Sequence, residues 1–135
     1  MPKPSVPVYP QKPQAIVQPI DYMCDPKNKL SLHILREDLP HPYVSGNKYR
    51  KLKYNLIAAA SRNHSTLLTY GGAYSNHIAA VARAGKLHGF RTIGVIRGEE
   101  LCDRVNGNPT LSFAKRQGMQ LYFITRAAYA QKIQG

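Results

Sequence analysis

The chain has 135 residues, enough for one domain with a hydrophobic core but too few for a second full domain. Hydrophobic residues make up 43% and charged residues 19%, and no apolar run approaches the roughly 20 residues that span a bilayer. The net charge of +12 is compatible with a nucleic acid as partner, but the basic residues are spread along the chain and match no nucleic-acid motif. Neither a membrane nor a nucleic-acid partner is expected.

The cysteines and histidines show no spacing typical of metal ligands, so no metal site is predicted. Cys24 and Cys102 lie far apart, and the proline-rich start lacks the apolar core and cleavage site of a secretory signal. A reduced, cytoplasmic environment is therefore expected.

The first half of the chain changes character near residue 30. Residues 1–29 hold seven of the ten prolines and are predicted to form an extended arm without regular helix or sheet, ahead of an α/β domain over residues 30–135. Apolar and polar residues alternate over residues 30–36, which predicts a strand. A helix over residues 48–61 and a short buried strand over residues 66–70 follow, the helix having one apolar face made of Tyr49, Leu52, Leu56 and Ala59.

The second half continues the same alternation. A helix is predicted from Ser75 or Asn76 to about His88, then a strand over residues 91–97. Asn108 and Pro109 are suited to begin a helix that Gly118 stops, and residues 119–124 form another strand, with a possible helix after Thr125. This βαβαβαβ order predicts a three-layer open parallel sheet with helices on both faces.

Ligands of open α/β sheets bind beyond the carboxyl ends of the strands. Two loops of this sequence are candidates for such a site. In residues 44–56, Lys48 stands at a predicted helix start beside Arg50, Lys51 and Lys53, surroundings that help a lysine lose its proton and form an imine with pyridoxal phosphate (PLP). The alternative is a solvated basic helix start with no special role.

In residues 70–80, Gly71 and Gly72 allow a close approach of the backbone to a ligand. The free amides of a helix that starts at Ser75 or Asn76 could hold a carboxylate or phosphate. The alternative is an ordinary turn followed by a capped helix. Tyr70, Tyr74 and His77 could line the same crevice or simply pack beside the turn; His33 and His88 are expected to be structural.

Together these loops resemble a known family. Residues 35–56 (LREDLPHPYVSGNKYRKLKYNL) resemble the segment around the PLP-bound lysine of the aminocyclopropanecarboxylate deaminase / D-cysteine desulfhydrase family, whose pattern is RED…GGNK-x-RKL. Residues 70–77 (YGGAYSNH) resemble the glycine loop of the same family, and a weaker similarity extends from about residue 30 to residue 124. The resemblance implies a tryptophan synthase beta-like PLP-enzyme fold, here truncated.

The resemblance also implies roles for individual residues. Lys48 would form the imine with PLP and later move protons at the substrate α-carbon. Ser75 would act catalytically and contact the substrate, and Asn76 would bind both the ring hydroxyl of the cofactor and the substrate. Lys51 would approach the cofactor phosphate, while Tyr74 and His77 would border a small amino-acid substrate. The complete enzyme is expected to be a homodimer.

Three departures from the family pattern qualify this interpretation. Ser45 replaces a glycine, Tyr74 replaces a common glutamine, and the second half of the family fold, with its phosphate-binding glycines, is missing from this sequence. We therefore expect the amino-terminal part of a PLP-dependent lyase or deaminase that is inactive alone. The alternatives are a non-catalytic basic module that binds nucleic acid or another anionic partner, and a degenerate remnant.

Overall fold

The computed structural model describes residues 16–20, 31–39, 44 and 47–131, without the side chain of Tyr49. Within these residues, two strands form an antiparallel pair and three strands form a parallel sheet flanked by helices. None of the described helices is long and apolar enough to cross a membrane. The elements in chain order are β1 (Val17–Ile20), β2 (Leu32–Leu35), α1 (Asn47–Ser61), β3 (Thr66–Gly71), α2 (Asn76–His88), β4 (Arg91–Arg97), a 3-10 segment (Glu99–Gly107), α3 (Pro109–Arg116), β5 (Gln120–Ile124) and α4 (Arg126–Gln131).

The parallel sheet confirms the predicted α/β fold class. Its strand order is β3-β4-β5, with Thr66 opposite Arg91 and Ile93 opposite Gln120. Parallel neighbours need a crossover, which α2 provides between β3 and β4, and α3 together with the 3-10 segment provides between β4 and β5. The carboxyl ends of all three strands consequently meet at one edge of the sheet.

The predicted capping residues set the helix boundaries. The side chain of Ser75 accepts a hydrogen bond from the amide of Ile78, and Gly89 ends α2 with a φ of 75°. The side chain of Asn108 caps α3 by accepting from the amide of Leu111 at 2.9 Å, with Pro109 in the first turn. These contacts confirm the predicted helix starts.

The core lies on the face of the sheet that α2 covers, and α1 and α3 pack against α2. Alternate residues of β4 point towards these helices, and Thr92 and Ile96 are buried there. On the opposite face, Tyr129 of α4 packs edge-on against Tyr70, with ring centroids 6.1 Å apart. The buried apolar residues are Val44, Leu52, Leu56, Ala73, Ile78, Ala80, Val81, Ala82, Ala84, Phe90, Ile96, Val105, Leu111, Ala114 and Met119.

The strand predicted to be buried at residues 66–70, which is β3, is exposed on this opposite face of the sheet. Leu68 is 58% exposed and Tyr70 is 39% exposed, whereas Thr69 between them is buried. The strand therefore has one buried and one open face, because successive side chains of a strand point to opposite sides of the sheet.

The amino-terminal region differs from the prediction in two ways. Val17–Ile20 forms β1, although the arm was expected to lack regular structure. The predicted strand at residues 30–36 exists as β2, but it pairs antiparallel with β1, Val17 facing Leu35, and does not join the parallel sheet. Alternation predicts a strand but carries no information about its partner. Of the arm, residues 1–15 and 21–29 lie outside the described part, as does residue 30.

The close packing of α2 on β4 leads to a stability prediction. A methyl group at Gly85 would collide with Thr92 and approach the carbonyl oxygen of Phe90. We expect Gly85→Ala to lower the free energy of unfolding by about 1–3 kcal/mol through overpacking, measured by urea denaturation.

The matched control is Gly107→Ala, because no atom lies within 4 Å of the added methyl group. Its free energy of unfolding should stay within about 0.5 kcal/mol of the unmodified chain. Equal effects of the two substitutions would contradict the close packing of α2 on β4.

Candidate functional site

The starts of α1 and α2 carry the predicted site residues, and topology brings them together. α2 begins just after β3 ends, beyond the carboxyl edge of the sheet. α1 ends at Ser61, only a short turn before β3 begins at Thr66, so it runs back along the strand and starts near the same edge. Two helix amino termini, each the positive end of a helix dipole, therefore meet there.

Two bidentate ion pairs hold the segment before α1. The guanidinium of Arg50 donates to both carboxylate oxygens of Glu37, at 2.7 and 2.9 Å, and ties the first turn of α1 to the turn after β2. Arg36 pairs in the same way with Asp38, at 2.7 and 2.8 Å, and also reaches Gln18 of β1. The RED and RKL motifs therefore support the position of Lys48 through contacts between their own side chains.

These contacts stabilise the charged form of each carboxylate. The hydrogen bond from Arg50 lowers the pKa of Glu37. The hydrogen bond from Arg36 likewise lowers the pKa of Asp38. Both ion pairs are exposed to solvent, so their role is geometric and their contribution to stability is small.

Lys48 and Lys51 lie in the first turns of α1, Lys48 partly buried and Lys51 exposed. Their influence reaches the start of α2, where His77 is the second helical residue. Burial lowers the pKa of His77, and the positive charges of Lys48 and then Lys51 lower it further. The two predicted loops thus form one electrostatically coupled region.

The loop between β3 and α2 is tightly folded. A methyl group at Gly71 would lie 2.5 Å from a side-chain carbon of Ile78, so this position requires glycine. A methyl group added at Gly72 would meet no close neighbour, the guanidinium of Arg97 lying 4.0 Å from it. The amide of Ser75 donates to the carbonyl of Gly72 at 3.1 Å, which closes the turn. Asn76 is exposed at the helix start.

The side chain of His77 points inward. Its Nε2 lies 2.8 Å from the hydroxyl of Thr69 on β3, and its Nδ1 is buried without a hydrogen-bond partner among the described residues. Tyr70 lies on the other face of β3, and Tyr74 is 74% exposed. Of the two possibilities that the sequence left open, a crevice shared by Tyr70 and His77 does not form, because the two side chains lie on different faces of β3.

Other residues at this edge were not singled out from the sequence. Arg97 ends β4 beside Gly72, and its guanidinium lies over the ring of Tyr129 at 5.8 Å. The sequence could have indicated Arg97 as a site residue, because it stands at the carboxyl end of a predicted strand. A cavity of about 440 Å³ borders Tyr74 and is also lined by Arg104 and Asn108. No sequence pattern linked Tyr74 to these residues, which lie some 30 positions later in the chain.

Comparisons with known proteins agree with this architecture. No protein-family profile matches the chain. A Pyrococcus horikoshii protein named for 1-aminocyclopropane-1-carboxylate deaminase is 32% identical over 111 residues, 76% of this chain and 34% of that protein. The bifunctional D-cysteine desulfhydrase/1-aminocyclopropane-1-carboxylate deaminase of Arabidopsis thaliana is 34% identical over 74 residues, 55% of this chain and 18% of that protein. The chain is a relative of this deaminase and desulfhydrase family.

The structural comparison covers more of the chain. The crystal structure of a homologue of 1-aminocyclopropane-1-carboxylate (ACC) deaminase matches 91% of this chain and 35% of its own, with a TM-score of 0.65 and 26% sequence identity. This match confirms the predicted fold as part of the ACC deaminase fold. The chain spans about a third or less of the length of the relatives it matches.

The chemistry of the residues at the two helix starts fits part of a PLP site. PLP carries an aldehyde and a phosphate, which need an amine and a set of cationic or amide donors. Lys48 offers the amine, Lys51 offers a second cation, and the start of α2 offers free backbone amides. The open space in front of Gly72 leaves room for a ligand close to the backbone.

The pair between Glu37 and Arg50 gives a local prediction. In Glu37→Gln the charge-assisted contact is lost, so the first turn of α1 should open more often and its amides should exchange hydrogen several-fold faster. Hydrogen-exchange mass spectrometry of a peptide covering residues 47–52 measures this. Glu99→Gln, which removes an exposed carboxylate of the 3-10 segment, is the control. Unchanged exchange in Glu37→Gln would show that the ion pair does not hold the helix start.

The lowered pKa of His77 gives a prediction about pH. As the pH falls through the ordinary histidine value of 6.5, the unfolded chain takes up this proton first, so the folded state loses stability. The melting temperature should therefore fall between pH 8 and pH 5, and less steeply in His77→Gln. The exposed His64 serves as control, because His64→Gln should retain the original slope. An identical slope in His77→Gln would contradict the assignment.

Proposed function

We propose that this chain supplies the lysine-bearing part of a PLP-dependent lyase or deaminase that acts on a small amino acid. The observation that carries the proposal is the position of two helix starts: α1, which bears Lys48 and Lys51 in its first turns, packs against α2, and both helices begin at the carboxyl edge of the parallel sheet. The similarity to deaminases and desulfhydrases supports it. PLP, when bound, would supply an electron sink for carbanion chemistry at the substrate α-carbon.

The residues at the carboxyl edge of the sheet have different roles in this proposal. Lys48 holds the cofactor through its amine and moves a proton at the α-carbon of the substrate. Lys51 and the amides at the start of α2 bind anionic groups, the phosphate of the cofactor or the carboxylate of the substrate. Asn76 donates to the ring hydroxyl of the cofactor and orients the substrate.

Ser75 contacts the substrate and takes part in catalysis, and the structure leaves its hydroxyl proton available for this. The oxygen of Ser75 accepts a 3.5 Å hydrogen bond from the amide of Ile78, and its own proton can still be donated. Tyr74 borders the substrate, and the cavity beside it, with Arg104 on its wall, is large enough for a small amino acid. Tyr74 would therefore influence which amino acid is accepted.

Turnover needs groups beyond this chain. The chain covers at most 34% of the curated proteins named above. The remaining part of such an enzyme would supply further contacts to the phosphate and the pyridine nitrogen, and the complete enzyme would be a cytoplasmic homodimer. The isolated chain is accordingly expected to bind PLP weakly and to turn over no substrate.

Borohydride trapping tests the assignment of Lys48. The purified chain is mixed with PLP and reduced, and mass spectrometry then locates the modified lysine. We expect preferential modification of Lys48, because the adjacent positive groups at the start of α2 attract the phosphate. Lys48→Ala should reduce labelling to the nonspecific background. Lys86→Ala, in the exposed last turn of α2, should leave labelling of Lys48 unchanged.

Two results would contradict the proposal. Modification spread evenly over the lysines would show that Lys48 has no special affinity for PLP. Equal total labelling in Lys48→Ala and Lys86→Ala would show the same. Inorganic phosphate added as a competitor should lower labelling of Lys48 more than labelling of Lys86 if the phosphate guides the reaction.

A further inference from the structure

We infer that His77 is a positioning residue of the Lys48 site, which fixes the Ser75–Asn76 turn to β3 through Thr69 and does not itself contact substrate. This role replaces the substrate contact expected from the family resemblance. Its consequence for Lys48 rests on the proposed function, whereas the fixing of the turn can be tested without any cofactor.

The geometry places the imidazole between strand and helix. Thr69 lies two residues before the end of β3 and is 8% exposed, and His77 is the second residue of α2. The 2.8 Å contact between them spans the loop that contains Ser75 and Asn76. A second hydrogen bond, from the amide of Ser75 to the carbonyl of Gly72, closes the same loop. The direction of the α2 amides and of Asn76 therefore depends on a side chain that points away from solvent.

The charges around His77 explain why a neutral ring is needed there. The positive charges of Lys48 and Lys51 on α1 disfavour its protonated form, and it lies in the positively polarised first turn of α2. A protonated imidazole would add a further positive charge where two helix starts already meet. Burial and these two lysines lower the pKa of His77, so the ring stays neutral at neutral pH.

The surroundings also select one tautomer. Nδ1 is buried and has no partner among the described residues, so it presents either an unpaired N–H or an unpaired lone pair. A lone pair is favoured, because nearby cations attract it and because buried acceptors without partners are less rare than buried donors without partners. The proton therefore resides on Nε2 and is donated to the hydroxyl of Thr69.

Paired substitutions of Thr69 separate the hydrogen bond from packing. Thr69→Val keeps the volume and removes the hydroxyl, and Thr69→Ser keeps the hydroxyl. Nitrogen NMR of labelled histidine in the chain without PLP should show the Nε2–H form of His77 in the unmodified chain and in Thr69→Ser, and a mixture of tautomers in Thr69→Val. Amides of residues 73–77 should exchange hydrogen about three- to tenfold faster in Thr69→Val only, since one hydrogen bond is lost.

Trapping with PLP then tests the effect on Lys48. We expect Thr69→Val to lower the labelling of Lys48 by about three- to tenfold, while Thr69→Ser restores it and labelling of Lys86 stays constant. If Thr69→Val only unfolded part of the protein, the labelling of Lys48 and of Lys86 would change alike. The change would then be proportional to the loss of folded protein measured by circular dichroism. Should Thr69→Val not fold, His77→Gln, which places a polar group near the position of Nε2, is compared with His77→Phe, and only the former should retain labelling.

Several outcomes would overturn the inference: a proton on Nδ1, unchanged exchange of residues 73–77 in Thr69→Val, or equal loss of labelling at Lys48 and Lys86. If Lys48 is not labelled even in the unmodified chain, the proposed function fails, but the tautomer and the exchange rates still decide whether His77 fixes the turn.

Discussion

The close packing of α2 on the parallel sheet is the constraint on which the site depends. At the start of the helix, Ile78 occupies the space where a side chain on Gly71 would lie, and near its end Thr92 occupies the corresponding space at Gly85. Both contacts have a glycine on one partner, which allows the helix to approach the strands this closely. The first turn of α2 is thereby fixed above the carboxyl end of β3, where Ser75 and Asn76 lie.

This packing has an electrostatic cost. The start of α2 is positively polarised, and α1 brings Lys48 and Lys51 to the same edge. Part of the repulsion is avoided because His77 remains neutral, and the carboxylate of Glu37 offsets the charge of Arg50 in the first turn of α1. An anionic ligand would remove the rest. The arrangement is thus better suited to a bound phosphate or carboxylate than to an empty site, which supports the proposal of a PLP site.

The sequence predicted those features that local chemistry determines. Ser75, Asn108 and Pro109 indicated the helix starts, and alternation indicated the strand at residues 30–36 that exists as β2, because capping and periodicity act over a few residues. Partners distant along the chain were not predictable. The pairing of β2 with β1 and the contact of His77 with Thr69 depend on the tertiary fold. The 3-10 segment, with the sequence EELCDRVNG, was not predicted.

The open face of the sheet bears on how the proposed activity could be completed. Leu67 of β3 points to the helices, yet the adjacent Leu68 and, on β5, Tyr122 point the other way and remain 58% and 56% exposed. Strands that are apolar on both sides are typical of parallel sheets covered on both faces. Among the described helices, α4 reaches this face through Tyr129 and leaves most of it open. The composition of these strands therefore fits a sheet that further polypeptide covers, and such polypeptide would also be the source of the groups that Lys48 and Ser75 need for turnover.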